Sequence, residues 1–157
     1  MQRGFTLIEL VMILTLLAIL AAVAIPRFSS YGATKQRNAV LKIASDIRYA
    51  QNRATTTQKR SKVSFTGPTI YDIYSCATAS QCPCASWTLF SSVDLNSDYP
   101  GVTISSSVAD LEFNSLGRPD GAGTCTALAA DATVTVYYTG EANIPIYIRQ
   151  QTGMVSY

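Results

Sequence analysis

Histidine is absent from this 157-residue chain, and charged residues make up only 14% of it. Without histidine, Ser-His-Asp and Cys-His catalytic units, His-ligated zinc and histidine pH switches are excluded. The small charged fraction, beside 48% hydrophobic residues, excludes a disordered chain, which needs the opposite balance. The sequence also lacks a Cys-x-x-Cys motif, a glycine-rich phosphate loop and carboxylates at a recognisable catalytic spacing. It therefore predicts no enzyme and no cofactor or metal site.

The longest apolar run lies at the amino terminus. From Phe5 to Ile25 the only charged residue is Glu9, and Arg3 precedes the run. As an α-helix this segment would be about 31 Å long, which matches the hydrocarbon thickness of a bilayer. The run exceeds the apolar part of a signal peptide, which has about 7–15 residues. We therefore predict a transmembrane helix at 5–25 with Arg3 on the inner side.

Glu9 does not suit a plain membrane anchor. A carboxylate within a transmembrane helix costs about 2.5–3.5 kcal/mol on insertion scales, and such residues usually have a partner. A cut between Gly4 and Phe5 would create an α-amino group at Phe5, one helical turn before Glu9. That amine would also be within reach of the Glu9 side chain of a neighbouring chain.

Residues 3–10, Arg-Gly-Phe-Thr-Leu-Ile-Glu-Leu, together with the apolar run after them, resemble the leader of type IV prepilins and type II secretion pseudopilins. The resemblance implies that a prepilin peptidase removes leader residues 1–4 by cleaving between Gly4 and Phe5, and that Phe5 is N-methylated. It implies insertion through the apolar stem into a helical filament of other pilin or pseudopilin subunits. It also implies that Glu9 neutralises the terminal amine of an adjacent subunit during assembly.

A helical period continues the stem over 26–57, where we predict an amphipathic helix. Pro26 predicts a kink or a short unwound stretch near Ala22–Pro26, because it lacks the backbone N–H that bonds the carbonyl four residues earlier. One arc of the helical wheel is apolar. Its members are Ala33, Val40, Ile43, Ala44, Ile47, Ala50 and Ala54.

A basic stripe lies on the opposite side of this wheel. It consists of Lys35, Lys42, Arg53 and Arg60. Residues 1–62 carry a net charge of +8 and residues 63–157 carry −6. We favour a surface that meets the acidic β domains of other subunits, since complementary charge sets the register of partners. A nucleic-acid backbone is the alternative partner of the same stripe.

Beyond the stem, the period changes to short β-type runs separated by turn residues. The predicted strands are Ser61–Thr66, Ile70–Tyr74, Ser86–Phe90, Val102–Ser105, Leu111–Asn114, Thr133–Thr139, Pro145–Gln150 and Met154–Tyr157. Strands that follow a helix without a further helical period predict an α+β fold. We expect a β-rich head over 58–157, whose antiparallel sheet packs on the apolar arc of the stem.

Three segments of the second half of the stem and the head carry a further resemblance. They are Ile47–Gln51, Phe113–Pro119 and Ile148–Val155. These segments resemble the GspH/FimT family of H-type pseudopilins and FimU/FimT minor pilins, and within it most closely the MSHA-pilus minor pilins of the MshC kind. The resemblance implies two antiparallel sheets on the stem and a role near the filament tip or in its initiation.

Three functions are consistent with these patterns. The favoured one is a structural minor pilin of a bacterial type IV pilus, held in the inner membrane with its head in the periplasm and then assembled into a surface pilus. One alternative is an H-type pseudopilin of a type II secretion system. The other is an adhesive or DNA-binding pilin at the filament tip.

Four cysteines lie in the polar half: Cys76, Cys82, Cys84 and Cys125. Cys82 and Cys84 are too close in sequence for an easy mutual bond. Two pairings remain, Cys76–Cys82 with Cys84–Cys125, or Cys76–Cys84 with Cys82–Cys125. The spacing of the four cysteines does not suit a four-cysteine zinc site. Disulfides, in contrast, are what a small exported domain needs for stability. We therefore predict two disulfides and leave their connectivity open.

Overall fold

Two long helices open the computed structural model, which describes residues 6–28, 31–78 and 82–157. They are α1 (Leu7–Phe28) and α2 (Tyr31–Thr57). α1 continues through Pro26 without the unwound stretch that was one of the two outcomes predicted near Ala22–Pro26, and the alternative, a kink, stays a prediction. Proline removes one backbone hydrogen bond, and the other bonds of a 22-residue helix are enough to carry it two residues further.

The predicted leader and membrane segment lie at the edge of what the structure describes. Gly4 and Phe5 fall outside the described residues. Within the described ranges, none of the helices combines the length and apolar character that crossing a membrane requires. The transmembrane segment predicted at 5–25 is therefore not confirmed.

α2 is amphipathic as predicted. Its buried residues are Gln36, Ala39, Val40, Ile43, Ala44, Ile47, Ala50 and Ala54. Ala33, which we placed on the apolar arc, is half-buried near the start of the helix. Gln36 is the one polar member of the buried set, and its Nε2 donates to the carbonyls of Val136 at 3.0 Å and Ala142 at 2.9 Å. These bonds compensate for the burial of its amide.

In the described residues beyond α2, the structure has nine strands and a one-turn helix. In chain order they are β1 (Ser61–Phe65), β2 (Ile70–Cys76), β3 (Trp87–Asp94), α3 (Leu95–Asp98), β4 (Val102–Ser106), β5 (Asp110–Phe113), β6 (Pro119–Asp120), β7 (Ala132–Tyr138), β8 (Ile144–Ile148) and β9 (Val155–Ser156). One sheet has the order β3-β2-β1-β5-β6, and the other has the order β4-β7-β8-β9. All strand pairs of both sheets are antiparallel.

The core lies between α2 and the two sheets. Its large buried side chains from the strands include Val63, Tyr71, Leu111, Phe113, Val134, Ile146 and Ile148. Burial alternates along β7 and along most of β2, as expected where one face of a sheet packs on a helix. The α+β class, with a long N-terminal helix packed on antiparallel sheets, is thus confirmed.

All eight predicted strands are present, with ends that differ by up to four residues. The prediction missed β6 and α3, because a two-residue strand and a one-turn helix show no period of their own. β9 is equally short, but it lies within the longer predicted run Met154–Tyr157. α3 begins where the Asp94 carboxylate accepts a hydrogen bond from the Asn96 backbone N–H at 2.9 Å. This is an ordinary N-cap, which the Asp-Leu-Asn-Ser spacing did not reveal.

Candidate functional site

Thr6 caps the start of α1 and forms one of the two bonds of a capping box. The Glu9 backbone N–H donates to Thr6 Oγ1 at 3.4 Å, and Thr6 Oγ1 donates to Glu9 Oε2 at 3.5 Å. Thr-x-x-Glu is the spacing of this motif, and sequence analysis could have recognised it. The first turn of a helix also favours a negative charge. Glu9 therefore has a local role in the free chain, whereas its predicted pairing with the Phe5 amine involves a residue outside the described ranges and stays a prediction.

α1 buries none of its apolar side chains in the described part of its surface. Every side chain from residue 6 to 22 is exposed. The large apolar ones are Leu7, Ile8, Leu10, Val11, Met12, Ile13, Leu14, Leu16, Leu17, Ile19 and Leu20. A contiguous apolar surface of this extent marks a site of association with protein or lipid, since isolated soluble domains do not expose one.

Three residues of the predicted basic stripe lie on α2, each with a different neighbour. Lys35 Nζ donates to the Pro100 carbonyl at 3.3 Å. Lys42 forms an ion pair with Asp46 one turn later, at 2.7 Å. Arg53 places its guanidinium carbon 4.1 Å from the ring centroid of Phe90 on β3. The stripe is therefore not a uniform row of free cations.

Arg60 does not belong to an exposed face. Its side chain is only 4% exposed and lies between Glu112, at 3.2 Å, and Asp120, at 3.0 Å. The helical wheel placed it wrongly because α2 ends at Thr57, and the spacing of 100° per residue does not continue beyond a helix. Buried Arg60, directly before β1, links this strand to Glu112 on β5 and Asp120 on β6, the next two strands of the sheet.

Further hydrogen bonds complete this buried charge cluster. Asn114 Nδ2 donates to Asp120 Oδ1 at 3.2 Å, and the Gly123 backbone N–H donates to Glu112 Oε1 at 3.1 Å. Half-exposed Arg118, in the Leu-Gly-Arg-Pro turn, lies 3.6 Å from Asp120. The turn arginine thus contacts a carboxylate of its own head.

The four cysteines form two disulfides, Cys76–Cys84 and Cys82–Cys125. Their Cα–Cα distances are 5.9 Å and 5.8 Å, which are ordinary for disulfides. Of the two pairings left open by the sequence, the structure has the second. The first bond closes the β2–β3 hairpin, and the second ties that hairpin to the loop after β6. Because all four sulfurs are used, none remains as a thiolate ligand.

Known proteins share the N-terminal motif, part of the sequence and the fold of this chain. The prokaryotic N-terminal methylation motif matches residues 1–25. Two type IV major fimbrial proteins FimA of Dichelobacter nodosus are 35% and 33% identical over 49% and 64% of this chain, which are 49% and 58% of their own lengths. A fimbrial protein of Pseudomonas aeruginosa is 38% identical over 46% of this chain and 47% of its own length. The chain thus spans about half the length of the curated relatives it matches.

Two solved structures share the fold at low sequence identity. The type IV minor pilin FimU of Pseudomonas aeruginosa has a TM-score of 0.59 at 12% identity and covers 79% of this chain and 88% of its own. The minor pseudopilin EpsH of the Vibrio cholerae type 2 secretion system has a TM-score of 0.57 at 8% identity and covers 78% and 94%. These matches do not test the closer similarity to MshC-type minor pilins, which stays a prediction. The chain carries the N-terminal methylation motif of type IV pilins, is homologous to type IV fimbrial proteins over about half its length, and has the fold of FimU and EpsH.

Proposed function

We propose that this chain is a structural subunit of a pilus-like filament, a minor pilin of a type IV pilus, with no catalytic role. The observation that carries the proposal is the exposure of every side chain of α1 from residue 7 to 22. Exposure of such an apolar helix to water is unfavourable, because removing apolar surface from water lowers the free energy. Packing of many such stems around one axis removes that surface from water.

Maturation prepares α1 for this packing. A prepilin peptidase cleaves between Gly4 and Phe5, and Phe5 becomes the N-methylated first residue. Glu9 then exchanges its local contact with Thr6 for the Phe5 amine of a neighbouring subunit. A charged partner compensates for the cost of moving the carboxylate into an apolar filament core.

Before assembly, the apolar stem is held in the inner membrane with the head in the periplasm. The two disulfides support this location, because such bonds persist in oxidising compartments outside the cytoplasm. Assembly then carries the subunit into a pilus on the cell surface.

An H-type pseudopilin of a type II secretion system is the second candidate. The similarity of the fold to EpsH supports it, since the TM-scores of 0.57 for EpsH and 0.59 for FimU are nearly equal. The test that separates the two is whether surface pili purified from the cells contain this chain. The third candidate is an adhesive or DNA-binding pilin at the tip of such a filament.

Substitution of Glu9 tests the assembly step, and two variants separate the two roles of the side chain. Glu9→Gln keeps a side chain that completes a capping box but removes the charge. Glu9→Val removes both. If the charge pairs with the Phe5 amine, both variants enter the membrane normally but are depleted from purified filaments. If Glu9→Gln is incorporated like the wild type, the charge pairing is refuted.

Mass spectrometry of the mature protein tests processing independently of assembly. We expect a first peptide that begins at methylated Phe5. A chain from cells that retains residues 1–4 would contradict the proposed maturation.

A further inference from the structure

β3 is an open strand with an unusual amount of exposed surface. It is the longest strand, with eight residues, and none of them is buried. It is the outermost strand of the five-stranded sheet and pairs with β2 on one side. The outer edge of β3 is therefore unpaired, and the strand lies beside the last turns of α2.

A β-bulge turns one aromatic residue toward α2. Ile73 lies opposite Ser91 and Tyr74 lies opposite Leu89, so Phe90 is the extra residue in the strand. Bulges redirect a side chain in this way. The Phe90 ring stacks on Tyr49 of α2 with 5.6 Å between the centroids, and both rings remain almost half exposed.

Two cations border the same surface, and we call the set Tyr49, Arg53, Lys59 and Phe90 the basic–aromatic notch. A pocket of 340 Å³ lies beside it, and its lining contains Arg53 and Lys59 but no carboxylate. Arg53 lies against the Phe90 ring, and its Nε is buried without a hydrogen-bond partner. Lys59 Nζ donates to the Ala77 carbonyl at 3.2 Å. In the part of the chain that is described, neither cation forms an ion pair.

The chemistry of the notch fits a carboxylate. The guanidinium of arginine binds carboxylates through two parallel hydrogen bonds, and an aromatic surface beneath it fixes its plane. The two cations of the pocket lining are not paired with acidic residues of the same chain in the described ranges. A binding partner would therefore supply the negative charge.

An exposed carboxylate lies at the other end of β3. The strand leads from the notch to Asp94, and Asp98 ends the short helix α3 that follows. Asp98 is exposed and, among the described residues, is not ion-paired. The four residues of strand from Phe90 to Asp94 place the start of α3 about 13 Å along β3 from the notch.

We propose that the notch of one copy binds the Asp98 carboxylate of a second copy, head to tail along the β3 edge. The inference rests on the proposed function, because the second copy is a neighbouring filament subunit. Donor and acceptor surfaces differ, so the contact is heterologous and can repeat without closing, as a filament requires. A protein carboxylate fits better than a nucleic-acid backbone, because the pocket lining has only two cations, Arg53 and Lys59, whereas a nucleic acid is held through many phosphate contacts.

A charge swap in the full-length chain tests the contact. Two tagged versions are co-expressed, solubilised in mild detergent and captured through one tag. Arg53→Glu or Asp98→Arg, present in both versions, is expected to lower the capture of the second copy about tenfold. The double variant Arg53→Glu with Asp98→Arg, again in both versions, restores the pair with reversed charges and recovers most of the capture.

Matched controls exclude a general effect of charge. Arg37→Glu changes a second arginine of α2, which is exposed, and Glu141→Arg changes another acid of the head; neither variant is expected to lower capture. Formation of both disulfides shows that each variant is folded. Unchanged capture in Arg53→Glu, or a folded double variant that does not recover, overturns the proposal.

Two further outcomes separate this contact from its alternatives. If a labelled DNA duplex binds the wild type but not Arg53→Glu, while capture stays unchanged, the notch is a phosphate site and the proposal is overturned. Capture in detergent does not need a filament. Charge-swap behaviour in a chain that is absent from filaments would therefore support this contact while rejecting the proposed function.

Discussion

Gln51 Nε2 donates a hydrogen bond to the main-chain carbonyl of Gly117 at 2.8 Å. The same amide group donates to the carbonyl of Thr152 at 2.9 Å. One side chain of α2 therefore holds the turn before β6 and the turn before β9. One turn earlier on α2, Arg48 Nη2 donates to the Val155 carbonyl at 2.9 Å. The three segments that resemble the GspH/FimT family meet at this point of the head.

Gln51→Ala is expected to destabilise the head by about 2 kcal/mol, because two main-chain carbonyls lose their donor at once. Guanidinium unfolding of the full-length chain in detergent measures the effect, with fluorescence of the single tryptophan, Trp87, as the probe. Asn52→Ala changes the next, exposed residue of α2 and is the control, with a cost below about 0.5 kcal/mol. Equal midpoints for the two variants would show that the two bonds do not contribute.

Gly153 and Gly140 offer a matched comparison of backbone strain with and without a steric clash. Both have positive φ, +70° and +87°. A Cβ at Gly153 would lie 2.8 Å from the Gly117 carbonyl oxygen, whereas a Cβ at Gly140 would have no atom within 4 Å. Gly140→Ala should cost about 1 kcal/mol for the left-handed conformation alone. Gly153→Ala should cost at least twice as much, since the turn also has to move away from Gln51.

The parts of this fold that the sequence predicted are those with a local period. The apolar arc of α2 and the strands of four or more residues are visible because side chains of one face recur at fixed spacing. The capping box at Thr6 and Glu9 was equally visible and was missed. By contrast, the bonds from Gln51 join residues 66 and 101 positions apart, and no local spacing reveals them.

The candidate site shows the same division. The Gly4, Phe5 and Glu9 predictions rest on a motif within ten residues. The place of Arg60 depended on where α2 ends, and the disulfide pairing depended on which loops the sheets bring together. The bulge that turns Phe90 toward Arg53 depends on the register of β2 and β3. Such features follow from tertiary packing and could not be predicted from composition or spacing.

Arg60→Met is expected to destabilise the head by about 3–5 kcal/mol, because it leaves the Glu112 carboxylate buried without a cation and the Asp120 carboxylate with only half-exposed Arg118. Arg118→Met removes the exposed arginine near the same Asp120 and should cost less than about 1 kcal/mol. Chemical unfolding of both variants measures the difference. A similar small cost for both would mean that the buried cluster relaxes by protonation or hydration when Arg60 is lost.

The stability of the head at alkaline pH should depend on Tyr71. Its hydroxyl donates to Asp46 Oδ2 at 2.6 Å, and its ring lies in the core. Burial first, and the hydrogen bond to Asp46 second, raise the pKa of Tyr71 far above its ordinary value, with a smaller contribution from the charge of Asp98. Asp46 in turn is paired with Lys42 at 2.7 Å.

Because the folded state raises this pKa, the contribution of Tyr71 is fully present below the unfolded tyrosine pKa of about 10 and is lost as the pH rises above it. The wild type should therefore lose about 1.4 kcal/mol of unfolding free energy per pH unit there through this residue. Tyr71→Phe should be less stable at pH 7, by about 1–2 kcal/mol for the lost bond to a charged acceptor. Its stability should then fall less steeply between about pH 10 and 11. Tyr147→Phe, at an exposed position, is the control. Denaturant midpoints measured across this range decide the point, and parallel pH profiles for the wild type and Tyr71→Phe would refute it.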